Sequence, residues 1–137
     1  MGYQYEIKEH PADVKLKVKA ASLKELFEGA LKGMAEILVS KKDLTEKRVQ
    51  KSIKVESVDV SALIVDFLSE VLALTDINDS VFNDLEVIFL SEKKIEAKVK
   101  GFKVKSFKEE IKAVTYHKAE VKQNKSGEYE AEILFDI

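Results

Sequence analysis

The sequence predicts an α+β fold, with two amphipathic α-helices set among mostly antiparallel strands. Three observations carry that expectation. Val14, Leu16, Val18 and Ala20 alternate strictly with Lys15, Lys17 and Lys19, the two-residue period of a half-buried strand. Apolar residues recur at helical spacing in only two segments, about 22–38 and 60–75. The resulting order, β-β-α-β-α-β-β-β-β, places both helices among the strands. At 137 residues, the chain is expected to form a single domain over 1–137.

Taken in order, Tyr3 to Lys8 is a short β-prone stretch. Pro11 removes a backbone donor and biases His10 toward an extended conformation, so His10–Asp13 leads into the lysine-faced strand. Ser22 followed by Glu25 is a capping-box pair, and Leu26, Phe27, Ala30, Leu31, Met34, Ile37 and Leu38 then form an apolar stripe. Gly29 and Gly33 share a face of this helix, where close approach of another element explains them. Lys41 to Lys47 reads as a charged linker, and Val49 to Ser57 as a strand with Ile53 and Val55 inward. The second helix carries Leu63, Ile64, Phe67, Leu68, Val71 and Leu72, and Asp76–Asp79 is expected to stop it.

Leu85 to Leu90 is nearly continuously apolar, which predicts a strand buried on both faces. Ile95, Ala97 and Val99 alternate with Lys94, Glu96, Lys98 and Lys100. Ile111, Ala113, Thr115, His117, Ala119 and Val121 share one parity of a long strand, which makes His117 a partly buried strand histidine. His10 is expected at the surface. Asn124–Gly127 is a turn, and Tyr129 to Ile137 closes the fold.

Composition removes most chemistries. With no Cys there is no disulfide, thiolate nucleophile or Cys-ligated zinc, and two His leave little for imidazole sites. The net charge of −2 advertises no nucleic-acid binding. The early residues hold Glu6, Glu9, His10 and Asp13 with no apolar run, and no apolar stretch approaches a membrane span, so a cytoplasmic protein is expected. Phosphate loops, dinucleotide fingerprints, nucleophile elbows and zinc-protease motifs are absent. The lysine stripes are consistent with solvated sheet faces, and the aromatics do not interleave with them as in a base-stacking platform.

The last strand holds a less ordinary feature. Its pattern runs to Asp136–Ile137, placing a side-chain carboxylate beside the terminal carboxylate, with Asp136 on the polar parity. Asp13 lies on the polar parity of its own strand. If the two strands are antiparallel neighbours, Asp13 meets Asp136 at about 5 Å, where like charges are destabilising. A hard divalent ion would reverse that cost. In the alternative reading, Asp13 neutralises a nearby lysine and Asp136 is merely solvated.

Five segments together resemble the archease family: HPADV at 10–14, LKELFEGALKGM at 23–34, DFLSEVL at 66–72, KAVTYH at 112–117 and the terminal Asp136–Ile137. The segment Phe102–Glu110 is shorter than its counterpart in many archeases. The resemblance implies a non-enzymatic accessory protein of the RNA-splicing ligase that joins tRNA exons. It implies promotion of guanylylation of the ligase's catalytic residue, multiple turnover and broadened nucleotide use. It also implies a divalent-metal site at Asp13, Asp136 and the terminal carboxylate of Ile137, with calcium as the expected ion and magnesium or manganese as alternatives. The partner is then the ligase, with tRNA contacted at most indirectly, no membrane and no small-molecule substrate. Two other readings stand beside it: a general chaperone or protein-interaction module, and direct tRNA binding by the lysine strands.

Overall fold

A computed structural model describes residues 2–9 and 12–137, with side chains at all of these but 117 and 118. The elements are β1 (Tyr3–Glu9), β2 (Asp13–Ala20), α1 (Leu23–Leu38), a single 3-10 turn (Lys41–Asp43), β3 (Leu44–Glu56), α2 (Val60–Asn78), β4 (Ser80–Leu90), β5 (Lys94–Val104), β6 (Ala113–Gln123) and β7 (Tyr129–Asp136). The strands form a four-stranded sheet, β1-β2-β7-β6, and a three-stranded sheet, β3-β5-β4. Every pairing is antiparallel, and the expected α+β class and element order hold. The extended lead-in expected at His10–Pro11 lies outside the described residues.

Both helices contact both sheets, so the core lies between the sheets with the helices filling it. Leu16 and Phe135 from one sheet and Ile95 and Val99 from the other are fully buried. Phe27 of α1 meets Phe67 of α2 edge-on, with ring centroids 5.3 Å apart. The glycine face of α1 rests on β2. A Cβ at Gly29 would stand 2.8 Å from Val18, and one at Gly33 would stand 2.5 Å from Leu16. The caps match the local chemistry: Ser22 Oγ accepts from Glu25 N–H at 3.2 Å, and Asp59 accepts from Ala62 N–H at 2.8 Å.

Four sequence expectations need correction. First, α2 runs past Thr75 to Asn78. Asn78 Nδ2 donates to the Leu74 carbonyl, and the stop falls at Asp79, in the left-handed region with φ 49°. Second, β3 begins at Leu44 rather than Val49. The charged residues read as linker form an exposed, irregular strand start, where Thr45 Oγ1 donates to the Lys103 carbonyl.

Third, β4 is not buried on both faces. It is an edge strand with a register shift between Val87 and Phe89, leaving Ile88 60% and Phe89 48% exposed. Continuous apolarity here marks an irregular edge, because the bulge breaks the alternation a flat strand would need. Fourth, β6 does not keep one parity. Its pairing with β7 shifts between Thr115 and Glu120. Val114 is therefore the buried residue opposite Phe135, while Val121 is the inward residue opposite Ala131. Ala113 is exposed. His117 falls within this shift, and its side chain, like all of His10, lies outside the described residues.

Candidate metal-binding acidic end

The site is made by the β2–β7 ladder. Asp13 opens β2 and Asp136 closes β7, and the two are directly paired across the strands. Inward residues Val14, Leu16, Phe135 and Ile133 are buried, which fixes the register because a one-residue slip would turn them outward. Asp13 and Asp136 are thereby held on the outer face at the ladder's end. Directly opposed Cβ atoms lie roughly 4.5–5.5 Å apart at such a rung.

The end of β7 is fixed from both sides. Asp136 also pairs with Ala113 of β6, and its carbonyl accepts from Lys112 N–H at 2.7 Å. On the opposite side, Ile137 N–H donates to the Ala12 carbonyl at 3.4 Å. The Ile137 side chain packs partly against the core. The strand thus runs to Asp136, and Asp13, Asp136 and Ile137 lie at one end of the sheet.

The neighbouring lysines turn the other way. Lys15 Nζ reaches Glu132 at 3.3 Å, Lys17 reaches Glu132 at 4.0 Å, and Lys19 reaches Glu130 at 3.3 Å. Among the described residues no lysine lies within 4 Å of Asp13 or Asp136 to form an ion pair. The alternative in which Asp13 neutralises a neighbouring lysine therefore has no described partner to support it.

The available donors are all oxygens: two side-chain carboxylates and nearby backbone carbonyls. That chemistry fits a hard divalent cation completed by water. Among the described residues no group of three or more His, Asp or Glu side chains is placed to hold a metal.

Several lysines of the three-stranded sheet are also paired with acids. Lys54 and Lys94 meet Glu96 at 3.5 and 3.3 Å, and Lys100 meets Glu86 at 2.7 Å. The hydrogen bond from Lys100 holds the Glu86 carboxyl below its usual value, and the bond from Lys94 does the same for Glu96. A depression of about 530 Å³ on the outer face of the four-stranded sheet is lined by Lys17, Lys19 and Lys122 together with Glu6, Glu130 and Glu132. It presents mixed charge rather than a phosphate track.

One cluster escapes sequence reasoning. Asp66 of α2 accepts from Ser57 Oγ at 2.5 Å and from Tyr116 Oη of β6. The hydrogen bond to Asp66 pushes the Tyr116 phenol above its ordinary value, with burial and the Asp66 charge adding to it. Asp66 and Tyr116 each sit in a segment that resembles the family, but no spacing rule links residues 50 positions apart.

Comparison with known proteins follows the same lines. The family model described as Archease protein family (MTH1598/TM1083) matches residues 5–137. The archease of Pyrococcus abyssi is 32% identical over 147 residues, covering 98% of this chain and 99% of that protein. The solution structure of Methanobacterium thermoautotrophicum protein 1598 shares the fold, with TM-score 0.71 and 22% identity over 97% of this chain and 98% of that one. So does the crystal structure of a Thermotoga maritima archease described as a possible chaperone, with TM-score 0.68 and 20% identity over 98% of each chain. With the family model spanning nearly its whole length, this chain belongs to the archease family.

Proposed function

We propose that this protein is a non-enzymatic accessory factor of the RNA-splicing ligase, acting through a divalent-cation site formed by Asp13, Asp136 and the terminal carboxylate of Ile137. The observation that carries the reading is the Asp13–Asp136 rung, where two like charges face each other with no described lysine between them. Family membership supports the choice of partner, because the resemblance implies ligase activation. A cation bound here, calcium in the first instance, would supply positive charge to a phosphate-bearing partner site.

The chain's own residues do the rest. Asp13 and Asp136 provide oxygen donors at a separation set by the ladder. The Lys112 and Ile137 amides hold the end of β7 so that the donors do not scatter. The acidic end would meet the partner, and guanylylation and turnover remain the partner's chemistry. The same reading keeps the protein in the cytoplasm; no helix among the described residues is long and apolar enough to cross a membrane.

The direct test is ligase guanylylation in the presence of the unsubstituted chain, Asp13→Ala, Asp136→Ala, or a chain with one residue appended after Ile137. All three changes should abolish most of the stimulation. Equal stimulation by all of them would reject the acidic end as the working surface.

A second reading, a general chaperone or protein-interaction module, is favoured by one feature: Val58, Ile77, Ile88 and Phe89 are exposed apolar side chains. It predicts suppression of aggregation of unrelated clients that is insensitive to Asp13 and Asp136.

A further inference from the structure

The β6–β7 ladder is irregular close to the acidic end. Three described rungs, Ala113–Asp136, Val114–Phe135 and Thr115–Leu134, precede a register shift that lies before Glu120–Glu132. A short ladder segment beside such a shift is where local opening is least opposed. If it opened, Asp136 would lose its partner on the β6 side, including the Lys112 amide on its carbonyl.

Helix α2 holds β6 within the shifted stretch and beyond it. At its first residue, Tyr116 Oη donates to Asp66. After it, Val121 N–H donates to Ser61 Oγ at 2.9 Å. The other oxygen of Asp66 accepts from Ser57 Oγ, and Ser57 N–H donates to the Lys93 carbonyl next to β5. One α2 carboxylate thereby ties the end of the three-stranded sheet to the register-shifted strand of the four-stranded one. Burial of Ile111 anchors the approach to β6 from the core side. Tyr116 itself is 61% exposed, so its ring adds little packing and its hydroxyl is the part that holds.

We infer that Asp66 and Tyr116 are positioning residues for the acidic end: their hydrogen bond pins the start of β6, and the pinned strand keeps Asp136 at its set distance from Asp13. This rests on the metal reading above, but its structural content can be read without metal.

The experiment uses the full chain with Tyr116→Phe and, separately, Asp66→Asn, with Asp13→Ala as the reference for the metal site. Amide hydrogen exchange at Lys112 is measured first, without cation, against amides in the middle of the β2–β7 ladder. Exchange at Lys112 should accelerate roughly tenfold in Tyr116→Phe, with the ladder amides unchanged. Calcium affinity by calorimetry, with terbium luminescence as a second probe, should then weaken roughly tenfold, as for loss of an outer support of a metal site. The thermal midpoint should barely move, because the tyrosine ring is retained.

Unchanged exchange at Lys112 in both variants overturns the inference whatever the cation does. Accelerated exchange with unchanged calcium affinity overturns the positioning role while leaving the metal site standing. Failure of the unsubstituted chain to bind calcium or terbium, or full binding by Asp13→Ala, overturns the metal reading and the positioning role with it.

Discussion

Along the outer face of the β2–β7 ladder, one end sets opposite charges across the strands and the other sets like charges. Toward Ala20, Lys19 opposes Glu130 and Lys17 opposes Glu132, with Nζ to carboxylate distances of 3.3 and 4.0 Å. At the other end Asp13 opposes Asp136. Lys15 lies between them opposite Leu134, and turns back to Glu132 rather than forward to the acids. The inner faces do not differ in this way. Val18 and Ala131, Leu16 and Ile133, and Val14 and Phe135 are all buried pairs. Exposed pairs of opposite charge contribute at most about 1 kcal/mol each, so neither arrangement decides whether the sheet forms. Apolar burial builds the ladder, which leaves the outward charges free to serve another purpose. At the Asp13–Asp136 end they are arranged against stability, which is where a ligand's contribution would enter.

The hardest way to break the comparison is to attack the shared inner face. Phe135→Ala, which empties a fully buried position directly behind the acidic rung, should cost about 3–5 kcal/mol. Urea unfolding would measure it. Ile133→Ala, further along the same face, should cost about 2–5 kcal/mol. Comparable losses mean that both ends are packed alike. A loss below about 1 kcal/mol for Phe135→Ala would mean that the acidic end frays, since a residue already loose has little burial to forfeit.

A gentler probe is the cation itself. Calcium at a hundredfold excess over its dissociation constant should stabilise the folded chain by about 2.7 kcal/mol, seen as a rise in thermal midpoint. Asp13→Asn should remove the rise, whereas Lys19→Gln at the opposite end should leave it intact. A midpoint indifferent to calcium in the unsubstituted chain would reduce the rung to a plain repulsion.

Much of this was legible in the sequence, and the exceptions have a common cause. The alternation of Val14, Leu16, Val18 and Ala20 and the parity of Ile133 and Phe135 are strictly period two. Both strands could therefore be oriented, and Asp13 set opposite Asp136 on the condition that the strands are antiparallel neighbours, a condition the pairing supplies. Parity arguments fail where the period is interrupted. The shift between Thr115 and Glu120 reverses which residues of β6 face inward, and the shift between Val87 and Phe89 leaves an apolar run at an exposed edge. A bulge has no composition of its own, so neither reversal can be read from residue types. The Asp66–Tyr116 hydrogen bond was hidden for a different reason. It depends on α2 crossing the very strand whose parity was misjudged.

The smallest effects separate the two ends most cleanly, because they should carry opposite signs. Asp136→Lys converts the acidic rung into an opposite-charge pair with Asp13 and should stabilise the chain by roughly 0.2–1 kcal/mol in low salt. Glu130→Lys places like charges opposite Lys19 and should destabilise by a similar amount, roughly 0.2–1 kcal/mol. Both shifts should shrink as salt is raised, since these are outer-face charges open to screening. The two variants differ in what they do to function. The first should gain stability and lose the calcium response together with ligase stimulation, whereas the second should lose stability and keep both. A chain that became more stable with Asp136→Lys and still stimulated the ligase would show that the like-charge rung serves no ligand, because its repulsion would then have been removed at no functional loss.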